Sequence, residues 1–144
     1  YDVQAIATIG GYRMETKDKP KVVVAGTNQE ILDKALSAGG IVSSVGSPIV
    51  GTAGLILGLA RFKKIDALCL LGETRGYLPD PLAAKSVLEV LKSLFSFDMD
   101  LSILNEDIEK ADNMINRLQQ IEATRLLQAE ETRKEEDKKT TYIS

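Results

Sequence analysis

The residues best placed to do chemistry follow a short apolar run. Glu73, Arg75, Tyr77 and Asp80 come directly after IDALCLL at residues 65–71. In open α/β sheets, ligands bind beyond the carboxyl ends of the strands, so a site belongs here if the run is a strand. Glu73 and Arg75 could take a sugar hydroxyl and an anion. No base or nucleophile accompanies them, and an internal Glu73–Arg75 pair with Asp80 as a helix cap is the better reading. The glycine loop GSPIVGTAG at residues 46–54 is the second candidate, because bare backbone N–H groups at a helix start can hold phosphate. It has no Gly-Lys-Ser/Thr, does not fit the dinucleotide fingerprint, and loses one donor at Pro48. Gly46, Gly51 and Gly54 therefore read as a tight turn into a closely packed helix, with Gly72 and Pro79 as further loop residues. Cys69 lies inside the apolar run, without the electropositive, partly exposed setting that activates a thiol.

Composition removes several classes of function. The 144 residues include no histidine, so histidine acid–base chemistry and histidine metal sites are excluded. No catalytic residue, metal or cofactor is expected. A net charge of −3, 5% aromatics and no tryptophan give neither a basic footprint nor a stacking surface for nucleic acid. The longest apolar run, residues 48–60, is too short and too glycine-broken to cross a bilayer. The single cysteine is compatible with a reducing compartment, and a cytoplasmic location is expected.

One further stretch stands out. After the mixed charges of residues 130–139, the chain closes on Thr140, Thr141, Tyr142, Ile143 and Ser144. An apolar-aromatic tip on a charged arm could serve as a docking peptide, with the tyrosine as anchor and a carboxylate as second handle. A simple frayed end is the competing reading.

The elements that must hold these residues can be read from periodicity. YDVQAIATI alternates as a strand, ended by Gly10-Gly11, and Ile6 suggests that both of its faces are covered. A chain that opens this close to a strand suggests missing upstream sequence. KVVVA at residues 21–25 is a second strand. Thr27 and Glu30 match a capping box for a helix that stops at Gly39-Gly40. Residues 41–45 read as a third strand, and residues 51–61 as a helix apolar nearly all round. Residues 65–71 are a strand buried on both faces, and helix-length connections favour parallel pairing. Asp80 caps a helix with Pro81 at its first position, and Ala84, Val87, Leu88, Leu91, Leu94 and Phe95 recur along it at helical spacing as its apolar face. Leu104, Ile108, Ala111, Ile115 and Leu118 mark the seam of a long final helix, and Met99 and Met114 read as packing residues. The expected organisation is an α/β core over residues 1–101, a helix over 102–129 and a charged arm over 130–144. The all-round apolar helix and the seam predict a homo-oligomer.

GSPIVGTAGLILGLA, ALCLLGET, RGYLPDPLAAKSVLEVL, TIGGY and DLSIL, in this order and spacing, resemble the proteasome assembly chaperone family in its archaeal form. The match covers the C-terminal three-fifths or so of the family domain. The resemblance implies an α/β sandwich similar to the nucleoside phosphorylase fold, with a largely parallel sheet and no phosphorylase activity. It implies a homo-oligomer, of four or five subunits, that binds proteasome α-subunits and assists assembly of their ring. Archaeal members are similar to proteasome activators in ending on a hydrophobic–Tyr–any-residue tail that docks between α-subunits. Here Thr141-Tyr142-Ile143 has something of that order, but Tyr142 is third from the end. The alternatives are an enzyme of the nucleoside phosphorylase type, using Glu73 and Arg75 on ribose and phosphate, and a ring-forming scaffold driven by the long helix.

Overall fold

Strand β4 (Asp66–Thr74) is the axis of the fold. Its residues Ala67, Leu68, Cys69 and Leu70 are all shut off from solvent, so both of its faces are covered. A strand in that position has no polar face to offer, which is why it reads as a continuous apolar run. The computed structural model describes residues 2–14, 18–43, 48–76 and 78–141, with side chains as far as residue 129. Gly46, Tyr77 and residues 142–144 lie outside the described residues.

The sheet has the order β1-β4-β2-β3. Strand β1 (Ala5–Arg13) runs parallel to β4, in register from Ala5 opposite Asp66 to Arg13 opposite Thr74. Strand β2 (Val22–Gly26) runs antiparallel to β4, and the two-residue β3 (Ile41–Val42) is parallel to β2. The sheet is thus mostly parallel, with two of its three pairings in that sense. The antiparallel pairing of β2 departs from the expectation. Only residues 14–21 separate β1 from β2, too few for the crossover that a parallel neighbour requires.

Two boundaries also differ from the sequence reading. Gly10-Gly11 does not end β1, which continues to Arg13, and Gly72 and Glu73 are still in β4 rather than in a loop. The glycines are tolerated inside the ladder because they face crowded neighbours. A Cβ at Gly72 would stand 2.9 Å from Val87 Cγ2 and 3.2 Å from the Ala83 carbonyl oxygen. Strand β1 is not covered on both faces: Ile6, Thr8, Gly10 and Tyr12 are buried or half-buried, whereas Ala5, Ala7, Ile9 and Gly11 are exposed.

Helix α1 (Gln29–Ser37) is capped by Asn28, whose side-chain oxygen accepts from Ile31 N–H at 3.0 Å. The expected capping box on Thr27 does not form. The Thr27 hydroxyl is taken by the sheet, where it accepts from Ala67 N–H at 2.9 Å, and Glu30 turns instead to Lys34 at 2.8 Å. Gly39, at φ 102°, ends the helix as predicted. Helix α2 spans Gly51–Phe62. Helix α3 (Pro81–Phe95) starts as predicted: Asp80 accepts from Ala83 N–H at 3.0 Å and Pro81 occupies the first turn.

Helices α1 and α3 cover one face of the sheet. Val22, Val24, Ala35, Leu68, Leu70, Val87, Val90 and Leu91 form the core there. Ala67 and Cys69 project from the opposite face of β4, which α2 packs against together with β1. A 3₁₀ turn (Ser102–Leu104) then leads into α4 (Asn105–Thr141). The chain divides into two compact units, residues 1–108 and 109–144.

Candidate functional site

The residues beyond β4 have local structural roles. Glu73 is only 6% exposed, and its carboxylate accepts from Lys21 N–H at 3.0 Å. Its own N–H donates to the Lys21 carbonyl at 2.9 Å, so Glu73 fastens the entry of β2 at two points. The expected Glu73–Arg75 pair is absent: among the described residues Arg75 makes no ion pair. Successive strand residues point to opposite faces, but 73 and 75 straddle the strand end, and the chain has left the pleat by Arg75. Gly76 turns at φ 79°, its N–H donating to the Thr74 hydroxyl at 3.3 Å. Asp80 is engaged as the cap of α3, and Pro79 leads into it.

The glycine loop is likewise local. Gly51 opens α2 at φ 80°, a backbone setting that favours glycine. A Cβ at Gly54 would collide with the carbonyl oxygen of Ile49, so the loop folds directly onto the helix it precedes. Cys69 is a buried free thiol. Thr141 is the last residue of α4, with its backbone alone described, and the expected contact at Tyr142, Ile143 and Ser144 falls beyond it.

What the fold does present is apolar surface. All three phenylalanines of the chain, Phe62, Phe95 and Phe97, are exposed. Phenylalanine is ordinarily among the most buried residues, so its placement here is informative. Phe62, 82% exposed, ends a stripe with Leu55 and Leu59 on α2. The spacing of four and three puts these residues on one face of the helix. Val50 extends the apolar surface before α2, while Ala60 faces the sheet.

The second surface lies on the connector between α3 and α4. Phe95, Phe97, Met99 and Ile103 are exposed there. Sequence reasoning placed Phe95 in the apolar face of α3 and Met99 among packing residues. Both expectations fail, as does the one for Met114, which is exposed on α4. The overlooked signal was alternation: Phe97 and Met99 interleave with Asp98 and Asp100 in FSFDMD. The aspartates hold the connector down. Lys92 reaches Asp98 at 2.7 Å and the Met99 carbonyl at 3.0 Å, and Asp100 accepts from Ser102 N–H at 2.9 Å. Lys85, two turns earlier on α3, donates to Asn105 at 2.8 Å. The Lys92 hydrogen bond and charge hold the Asp98 carboxyl below its ordinary range. Hydrogen bonds from Ser102, side chain first and backbone second, do the same for Asp100.

Two exposed apolar surfaces on an α/β core are features that mark contact with other proteins. Residues 1–119 match the PAC2 family along most of the chain. The chain belongs to the PAC2 family. Among its relatives, an uncharacterized protein of Methanocaldococcus jannaschii is 31% identical over 144 residues, covering 99% of this chain and 55% of that protein. The fold is similar to the crystal structure of Pyrococcus furiosus PbaB, an archaeal proteasome activator. That match has a TM-score of 0.72 and 30% identity, over 81% of this chain and 51% of PbaB. It is also similar to Pyrococcus furiosus PbaA, an archaeal homolog of proteasome-assembly chaperone, with a TM-score of 0.71 and 26% identity over 98% of this chain and 56% of PbaA. This PAC2 chain spans about half the length of the relatives it matches.

Proposed function

We propose that this PAC2 protein is a non-catalytic, homo-oligomeric assembly chaperone that binds proteasome α-subunits and assists formation of their ring. The observation that carries this reading is the likeness to two Pyrococcus furiosus proteins, one an archaeal proteasome activator and the other a homolog of a proteasome-assembly chaperone. The exposure of every phenylalanine supports it, since apolar patches of this kind mark surfaces that bury themselves against protein. The Glu73 carboxylate, on which the phosphorylase alternative relies together with Arg75, accepts instead from the Lys21 N–H, which favours the non-catalytic reading.

In this reading the segment of Thr141, Tyr142, Ile143 and Ser144 makes the main contact, with Tyr142 as its anchor. Several tails on one oligomer add avidity even where each binds weakly. Truncating a buried tyrosine anchor costs about 2 kcal/mol, so Tyr142→Ala is expected to weaken α-subunit binding by roughly thirtyfold per engaged tail. A binding isotherm for purified α-subunits tests this. Unchanged affinity in Tyr142→Ala and after removal of residues 140–144 would refute the contact.

A further inference from the structure

Helix α2 ends in a strained turn. Ile65 N–H donates to the Ala60 carbonyl at 2.9 Å and Lys64 N–H to the Arg61 carbonyl at 3.1 Å, the paired bonds of a Schellman motif. That motif puts Lys64 in the left-handed region, at φ 57°. Glycine takes this position without steric penalty, whereas a lysine is strained there. The helix dipole favours a cation near a helix C-terminus, but Arg61 and Lys63 already supply that. The third cation is held at a cost that glycine would remove, and such strain points to a use outside the fold.

Arg61, Lys63 and Lys64 flank Phe62, and all four are exposed. Among the described residues none of the three cations makes an ion pair. Residues 34–65 contain no aspartate or glutamate. The next carboxylate along the chain, Asp66, does not offset the cluster. It shares a face of β4 with Leu68 and Leu70, on the side of α1, and accepts there from Asn28 Nδ2 at 2.6 Å. Helix α2 packs on the other face, and its outward stripe of Leu55, Leu59 and Phe62 runs into the cations.

We infer that the end of α2 is a docking surface for an acidic, apolar segment of the α-subunit. A large apolar side chain of that segment lies against Phe62 and Leu59, and carboxylates around it take Arg61, Lys63 and Lys64. This rests on the function proposed above and gives it a contact surface on the α/β body. Unpaired cations around an exposed phenylalanine repel their own kind, so the complementary occupant is acidic. A membrane surface fits less well. An interfacial helix carries its cations along a polar face. Here they cluster at one end of a helix whose other side packs on the sheet. Phe62, the most exposed large side chain of α2, is the anchor, and the charges steer the encounter.

Binding kinetics of purified α-subunits on the whole protein test this. Phe62→Ser is expected to weaken binding by roughly tenfold or more. Lys64→Gly is expected to slow association by roughly threefold and to flatten its salt dependence. The same substitution is expected to raise the thermal midpoint, because glycine relieves the left-handed strain. Opposite movement of stability and binding separates a docking role from a folding one. Sedimentation of each variant is expected to give the oligomeric state of the unsubstituted protein, and phosphatidylserine vesicles are expected not to bind. Unchanged α-subunit binding in both variants overturns the inference and leaves the proposed function standing. So does a loss of binding that accompanies a loss of oligomers, which makes the surface a contact between copies. Vesicle binding that Phe62→Ser abolishes gives the surface to a membrane and overturns the inference as well. An unsubstituted protein that binds no α-subunits overturns both the inference and the function on which it rests.

Discussion

Glu73 shows how a residue with catalytic credentials can be structural. It lies at the carboxyl end of the central strand, where ligands of α/β proteins bind, yet its carboxylate is buried against the N–H of Lys21. Glu73→Ala leaves that donor without its acceptor, and is expected to destabilise the protein by about 1–3 kcal/mol in urea unfolding. Glu73→Gln keeps an oxygen in place and is expected to cost less. Equal stability of Glu73→Ala and the parent would contradict this role. Position 54 is equally sensitive for a steric reason. Any side chain there strikes the Ile49 carbonyl, so Gly54→Ala is expected to lower the thermal midpoint sharply, whereas Gly58→Ala, with open space around it, is expected to be tolerated. Asp80 was legible in the sequence because Asp-Pro before an apolar run has one mechanical use. Thr27 was not, because a hydroxyl that fits a capping box equally fits a strand that arrives from 40 residues away.

Elements were legible where one cause set them. The run at residues 65–71 is apolar because both faces are covered, and it is the buried central strand. The direction of β2 was hidden, since direction depends on what the eight residues between β1 and β2 can span rather than on the strand's own sequence. The connector after α3 was hidden too, because Phe95 satisfies helical spacing and still points outward. Two aspartates hold that connector, and their depressed pKa values give it a pH response. A carboxyl lowered in the folded state contributes stability that is fully present above its unfolded value and is lost as pH falls through the folded one. Hydrogen exchange of residues 97–104 is therefore expected to stay slow at neutral pH. It should accelerate only on acidification below the ordinary aspartate range, as Lys92 loses Asp98 and Ser102 loses Asp100. Exchange that quickens nearer neutrality would mean that other groups hold the connector.

The whole molecule carries its largest apolar side chains outward. A chain with its phenylalanines on two surfaces and aliphatic residues in its core is organised for contact, and the PAC2 family with its proteasome-related neighbours gives that contact a direction. We propose that the protein binds proteasome α-subunits and assists their assembly. The direct test is the time course of ring formation from dissociated α-subunits, followed by native mass spectrometry with and without the whole protein. The account predicts a complex of the protein with α-subunits that appears before the ring, and rings that form faster than from α-subunits alone. An unchanged time course with no such complex would contradict it.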